Sequence, residues 1–445
     1  MDKVEAYLKV VPLPLIALGA IAFFGILIII PRRFRIQITV GFMTMWMMVN
    51  KLTGLGMVAY FSKTTAAVAC IGVGFAAMLD REPRRRIPVL AWLYVVAALG
   101  GFVFVLGVDD RIEALVVRFQ WFVMVICAML LARTVTDQRT LCRVLHGIVG
   151  GLVVSVVILL SAILFARGSS FKGGVGRFTP YGGLPNVYGL IFIFGTIFTV
   201  YFGVYGKTQW IKPFLLAVAT ISFGLGVLTA ARTIVFGMVI GLSPLGAYLV
   251  RRPTIAVIGA VIVSLLLGWV LRLGDEQADL SRLRTLQTSR YVIWDAYWEI
   301  VRERPLFGLM GVKGENSKAA WQVGEHPHSA YLHTLYLGGM VFAAPQFLLI
   351  LVSIIAVFYA IKRRKSLPYD PVLIVCCGVL LLDMYLLAIF GGAIYYPTYS
   401  WAFIHVFLAV LFLGIAGDAR AIKKAARAQT TTQQAAPATG RLALP

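Results

Sequence analysis

Residues 333–361 read HTLYLGGMVFAAPQFLLILVSIIAVFYAI, without one Asp, Glu, Lys or Arg, and Lys362-Arg363-Arg364-Lys365 follows at once. An apolar stretch of about 20 residues is what a helix needs to cross hydrocarbon. A basic cluster directly after it marks a cytoplasmic boundary. The same grammar repeats along the chain, with spans expected near 11–30, 36–60, 62–79, 88–107, 112–133, 145–166, 185–206, 213–230, 233–250, 254–273, 333–361, 371–390 and 399–417. These make about 13 candidates, and about 12 if one in the first eighty residues is re-entrant or fused to its neighbour. The expected fold is an all-α polytopic membrane protein with about 12 (12–13) transmembrane helices.

Composition agrees. Of 445 residues 60% are hydrophobic and only 13% charged, and the mean hydropathy is +0.86. Soluble domains carry about twice that share of charge. A signal peptide gives one apolar run near the start, whereas here the runs continue to the end. The net charge, 41 − 19 = +22, raises the question of nucleic acid, but its distribution answers it. The basic residues gather in short loops beside spans: Arg32-Arg33-Phe34-Arg35, Arg81 with Arg84-Arg85-Arg86, Arg251-Arg252, and Lys362–Lys365. Their expected partners are anionic membrane lipids, and no nucleic-acid module is read. Cys70, Cys127, Cys142, Cys376 and Cys377 lie in apolar segments or beside a basic loop and imply no disulfide framework.

From residue 81 onward the positive-inside rule orients the chain consistently. Arg81–Arg86, 133–143, 207–212, 251–253 and 362–365 fall inside, with the C-terminus. Asp109-Asp110, 167–184, 231–232, 274–328 and 391–398 fall outside. A cytoplasmic N-terminus would need an even number of spans before Arg81. The organisation is helices over 1–273, an outer loop domain over 274–332, helices over 333–417, and a disordered cytoplasmic tail over 418–445.

The outer loop holds eight acidic and seven basic residues, nearly neutral in a basic chain. Residues 281–304 read as a helix ended by Pro305 and Gly308. Leu286, Ile293, Tyr297 and Val301 share a stripe, and Arg290 sits on it. A guanidinium on a packing face calls for an anion, either a structural carboxylate or a ligand. Next comes Glu325-His326-Pro327-His328-Ser329-Ala330-Tyr331-Leu332-His333, with three of the five histidines. No cysteine or helical His pair completes a metal site, so none is assigned. His328, at a helix N-terminus whose dipole keeps imidazole neutral, is a candidate general base; an interfacial hydrogen-bonding role is the alternative. Arg232, in Thr229-Ala230-Ala231-Arg232-Thr233, falls on the same side, as a snorkelling residue or as a second phosphate fork. Arg177-Phe178-Thr179-Pro180-Tyr181-Gly182-Gly183-Leu184-Pro185-Asn186 is also outside, a turn and cap or a contact to sugar or phosphate. Arg118, Asp383 and His405 are intramembrane ionisable groups, which hydrogen bonds between helices would satisfy.

Together these pieces resemble the O-antigen ligase and polymerase superfamily of bacterial envelope glycosyltransferases. The resemblance runs from about 170 to 340. It rests on Arg290-Tyr291-Val292-Ile293-Trp294, then Arg304-Pro305-Leu306-Phe307-Gly308, then His328-Ser329-Ala330-Tyr331-Leu332 and Gly339, with Arg232 and Pro185-Asn186 at further family positions. Ser329 stands where the family has Asn, and Leu337 where it often has Glu. The resemblance implies a GT-C-like, metal-independent transferase in the bacterial inner membrane, its site facing the periplasm. No cofactor is implied. The implied donor is a glycan on undecaprenyl pyrophosphate, and the acceptor is lipid A-core for a ligase or another lipid-linked glycan for a polymerase. His328, Arg290 and Arg232 would then be catalytic, with Arg177, Asn186, Tyr331, Trp294 and His326 binding substrate. A secondary transporter of lipid-linked glycans is the competing class, and it predicts polar groups near the bilayer midplane.

Overall fold

The computed structural model describes residues 13–107, 111–171, 177–183, 185–250, 290–309, 328–390 and 400–435. Among the described residues there is no strand. The main helices are α1 (Leu13–Ile29), α2 (Arg32–Val49), α3 (Met57–Leu79), α4 (Trp92–Gly100), α5 (Arg111–Thr134), α6 (Gln138–Phe165) and α7 (Pro185–Tyr205). They continue with α8 (Lys212–Leu228), α9 (Arg232–Val250), α10 (Arg290–Glu303), α11 (Ala330–Arg363), α12 (Pro371–Leu387) and α13 (Ser400–Ala435). Among the described residues, six helical stretches are long and apolar enough to cross a membrane: Met57–Leu79, Ala114–Thr134, Gln138–Phe165, Gln209–Leu228, Ala330–Ser366 and Ser400–Ala421. Shorter apolar helices, such as Ile191–Tyr205 and Pro371–Leu387, accompany them. The chain is an all-helical, membrane-embedded protein. The expected span at 254–273 and most of 274–328 lie outside the described residues.

Two boundaries differ from the sequence reading. The stretch 36–60 is not one helix, because α2 ends at Val49 and the chain turns through Thr53–Leu55. Gly56 then takes a φ of 53° ahead of α3, a conformation that glycine adopts without the steric cost of a side chain. Three helices, α1 to α3, therefore precede Arg81 among the described residues. At the far end α13 runs to Ala435, so the segment expected as a disordered tail from 418 begins as helix. Its Ala-, Lys- and Arg-rich start is made of strong helix formers.

The hub is α13, in which every residue from Ser400 to Ala416 is buried. Phe403, Phe407 and Phe412 are all fully enclosed, as befits a helix that is apolar on every side. Elsewhere small residues set the spacing. A Cβ added at Gly147 would sit 2.6 Å from the Gln37 carbonyl, and one at Gly41 would sit 3.0 Å from the Gly147 carbonyl. With Gly151 one turn on, α2 and α6 approach backbone to backbone, as membrane helices do at small-residue positions.

One end of the bundle gathers the basic loops. The side chain of Arg85, 7% exposed, forms an ion pair of 2.7 Å with Asp418 and donates to the Tyr369 hydroxyl at 2.6 Å. The Arg85 backbone N–H donates to the Arg133 carbonyl. Arg143 pairs with Glu82 at 3.2 Å and Asp80 at 3.8 Å. Gln138 clasps the 368–370 turn, its N–H donating to Pro368 and its Oε1 accepting from Asp370 N–H. Asp370 and Asp137 then cap the helices that follow them.

Candidate active site

The opposite end carries His328. Its construction begins with a break in α11. Gly339 has a φ of 57° inside that helix, which opens the backbone hydrogen-bond ladder. The turn after α10 fills the gap. Met340 N–H donates to the Pro305 carbonyl at 2.8 Å and Val341 N–H to the Leu306 carbonyl at 3.1 Å. Leu309 N–H in turn donates to the Tyr336 carbonyl at 3.1 Å. Three groups released by the break thus find partners from the turn. Gly308, with a φ of 54°, makes the approach possible: a Cβ there would lie 2.5 Å from the Tyr336 carbonyl. Pro305, Gly308 and Gly339, widely separated in sequence, form one joint.

That joint fixes α10. Tyr297 and Val301 are buried against Tyr336 and Leu309, with Ile293 and Leu337 packed at the edge. The rings of Tyr297 and Tyr336 meet edge to face at 4.7 Å. The expected stripe therefore exists, although Leu286 lies outside the described residues. Leu337, where the family often has Glu, belongs to this apolar cluster. Arg290 opens the described helix one turn before Trp294. The Trp294 ring stacks on Phe390 at 6.0 Å, just beyond the end of α12.

His328 stands directly before the N-terminus of α11. It is exposed, and its φ is 49°. Ser329 is the N-cap, its hydroxyl accepting from Leu332 N–H at 3.4 Å. Asn and Ser cap helices equally well, so the Ser329 departure keeps the local geometry. Ala330 N–H donates to the Ala388 carbonyl at 2.9 Å, tying the start of α11 to the end of α12. Tyr331 adds a second tie: its hydroxyl donates to the Tyr385 carbonyl at 2.7 Å. Tyr331, expected as a substrate contact, thus ties two helices together at this end.

The 177–183 segment and the turn into α9 meet at the same end. Phe178, fully buried, donates its N–H to the Leu228 carbonyl at 2.9 Å. Arg177 Nε donates to the Thr229 carbonyl, also at 2.9 Å. The turn continues through Ala230, with a φ of 48°, and α9 starts at Arg232. Helix α9 packs on α12, where Gly237 lies beside Leu387. Arg232 is thereby brought to the end of α12 that also receives Ala330 and Trp294. Asn186 is the second residue of α7, so α7, α9, α10 and α11 carry Asn186, Arg232, Arg290 and His328 at or next to their starts. Helix starts favour negative charge, because their free N–H groups and the macrodipole point there. His326 lies outside the described residues.

Backbone strain marks the same place. The described non-glycine residues with positive φ are Tyr181, Ala230 and His328, which lie in three of the four segments that the sequence singled out. A left-handed conformation costs such residues on the order of 1–2 kcal/mol, and such strain clusters at functional sites. No sequence signal foretells it at Tyr, Ala and His. Ala388 and Phe390 also escaped the sequence reading, since nothing in an apolar helix end distinguishes them.

Two intramembrane groups differ from expectation. Asp383 and His405 are buried, and neither the carboxylate oxygens nor the ring nitrogens have a hydrogen-bond partner among the described residues. Asp383 lies against Gly237, its Oδ2 2.8 Å from where a Cβ would be. The His405 ring is flanked edgewise by Tyr94 and Tyr385. Helix-to-helix hydrogen bonding, which would have satisfied both, is not what holds them.

No protein-family model matches this chain, and no curated protein matches it.

Proposed function

We propose that the protein is a membrane glycosyltransferase of the O-antigen ligase type. It moves a glycan from undecaprenyl pyrophosphate to a sugar hydroxyl of lipid A-core at the periplasmic face of the bacterial inner membrane. On this reading the basic end is cytoplasmic, 254–273 supplies a further span, and the fold is GT-C-like with about 12 spans. One observation carries the reading: segments 177–183, 229–232, 290–294 and 328–331, far apart in sequence, converge on one end through Phe178–Leu228, Arg177–Thr229, Trp294–Phe390 and Ala330–Ala388.

The chemistry follows from the residue types. Arg232 and Arg290 present planar forks that fit phosphate and stabilise the pyrophosphate as it leaves. His328 takes the proton of the acceptor hydroxyl, whose oxygen attacks the anomeric carbon from the face opposite the pyrophosphate. The glycosidic oxygen–carbon bond forms as the carbon–phosphate oxygen bond breaks, with inversion. The donor is already activated, so neither a nucleotide sugar nor a metal is required. A polymerase uses the same steps with a lipid-linked acceptor, and a deletion strain separates the two: polymer held on its carrier means ligase, single repeats mean polymerase.

The test is reconstitution of purified protein with the lipid-linked glycan and lipid A-core. Product is expected without added metal, and His328→Ala is expected to lose about 10²–10⁴-fold in rate, the worth of a general base. Arg290→Lys is expected to lose about 10²-fold, because a point charge does not replace a fork. Full turnover in His328→Ala rejects the mechanism. A transporter is the second reading, favoured by Asp383 and His405, buried and without a hydrogen-bond partner among the described residues. It predicts that Asp383→Asn abolishes movement of the lipid-linked glycan across vesicles, while the transferase reading predicts no such movement in the wild type.

A further inference from the structure

A polar cluster lies inside the bundle, beneath the His328 end. Tyr385 stands three residues before Ala388 on α12, and its carbonyl accepts from the Tyr331 hydroxyl. Helix side chains lean toward their own N-terminus, and α12 begins at the basic end, so the Tyr385 ring reaches inward. It meets the His405 ring of α13 edge to face at 5.3 Å. Tyr94 of α4 meets the same imidazole at 6.0 Å, again edge to face. Ser353 of α11 faces the Tyr385 hydroxyl without hydrogen-bond geometry. Trp401, one turn before His405, shares its face of α13. Four helices thus contribute to one cluster.

The protein does not serve the polar atoms gathered there. His405, Tyr385, Ser353 and Trp401 are each at most 5% exposed. Both His405 nitrogens, the Tyr385 hydroxyl, Ser353 Oγ and Trp401 Nε1 have no hydrogen-bond partner among the described residues. The tyrosine rings can supply part of what is missing, since an N–H aimed at a π face gains a weak hydrogen bond. That helps a donor only. A neutral imidazole also has a bare nitrogen, which needs a donor and gets none from a ring face. Protonation would place a hydrogen on both nitrogens, but it would bury a cation. No carboxylate pairs with His405 among the described residues.

We infer that His405 anchors an internal hydration site, whose ligand is water enclosed by α4, α11, α12 and α13. Water is both donor and acceptor. It donates to the bare His405 nitrogen and accepts from the Tyr385 hydroxyl, and Ser353 and Trp401 Nε1 lie on the same cluster to extend the network. Buried water makes about three hydrogen bonds, chiefly to groups that the protein leaves unserved. In a membrane interior no other solvent can do this. The site rests on neither the transferase nor the transporter reading.

The test is X-ray radiolysis of the purified full-length protein, with oxidised residues read by mass spectrometry. Radiolysis makes hydroxyl radical wherever water lies, so a side chain beside internal water is oxidised without access to bulk solvent. His405, Tyr385 and Trp401 are expected to be oxidised. Phe403 and Phe407, fully enclosed on α13, are expected to be spared. Radical made chemically in the bulk is expected to miss all five. His405→Phe removes the anchor, and oxidation of Tyr385 is expected to fall to the level of Phe403. His405→Gln keeps a donor and an acceptor and is expected to keep Tyr385 oxidised. The wild-type comparison needs no variant, so it decides the matter even where His405→Phe does not fold. His405 and Tyr385 left as intact as Phe403 and Phe407 would overturn the proposal. Oxidation of His405 by bulk radical would overturn it too, because the site would then be an open path and not an enclosed one.

Discussion

The two ends of the bundle are held in different ways. At the basic end, charge meets charge: Arg85 with Asp418, Arg143 with Glu82 and Asp80, and Gln138 locked to the turn at 368–370. At the His328 end the ties run mainly through backbone, from Phe178 to Leu228, Ala330 to Ala388, and Met340 to Pro305. There the chain also accepts left-handed φ at Tyr181, Ala230 and His328. Strain persists only where the surroundings over-determine it. The contrast is between an end held by side-chain ion pairs and an end held mainly by backbone hydrogen bonds.

The largest effect on that contrast is expected at the joint. In Gly339→Ala the new Cβ meets the Leu306 carbonyl and lies 2.5 Å from Phe307 N, at a φ of 57°. The dihedral alone costs about 1–3 kcal/mol, and the backbone clash adds to it. Thermal unfolding in detergent is expected to fall sharply, and transfer activity to disappear with α10 displaced. A variant with normal stability and turnover would show that α10 does not depend on this joint.

The joint also shows how much the sequence revealed. The apolar runs announced most helices, because about 20 residues without charge have few other uses. Pro305, Gly308 and Gly339 were visible as separate signals, and their meeting was not, since no periodicity links a turn near 305 to a helix near 339. Residues 36–60 show the opposite failure, as hydropathy ran across Lys51 while α2 stops at Val49 and a turn through Thr53–Leu55 and Gly56 leads into α3. At the site, residue chemistry pointed to Arg177, Arg232, Arg290 and His328, and the fold brings their segments to one end. The tie from Tyr331 to the Tyr385 carbonyl was not legible, because a tyrosine that ties two helices and one that touches a sugar look alike in sequence. Asp383 and His405 were expected to find partners on general grounds, and packing denied them.

A smaller effect is expected at the basic end. Asp418→Asn removes the partner of a nearly buried guanidinium, but Arg85 keeps the Tyr369 hydroxyl, and the Asp418 side chain is 47% exposed. Discounted for solvent, the loss is about 1 kcal/mol. Turnover of the folded protein is expected to match the wild type. Chemical denaturation and the transfer assay together check this. A variant that folds but does not react would couple the two ends and remove the distinction between them.

The smallest effect sharpens the distinction most. Ala230→Gly keeps the turn into α9 but removes the left-handed strain, a gain of about 1 kcal/mol that the larger freedom of glycine in the unfolded chain partly cancels. Stability is expected to rise by about 0.5 kcal/mol on that balance. Arg177 keeps its acceptor, because the Thr229 carbonyl precedes the change. If the strained turn serves to aim Arg232, the relaxed variant should melt slightly higher and turn over more slowly, with the loss in kcat rather than KM. A variant that is both less stable and fully active would mean that the φ of 48° at Ala230 is a by-product of helix packing, and strain would no longer separate one end from the other.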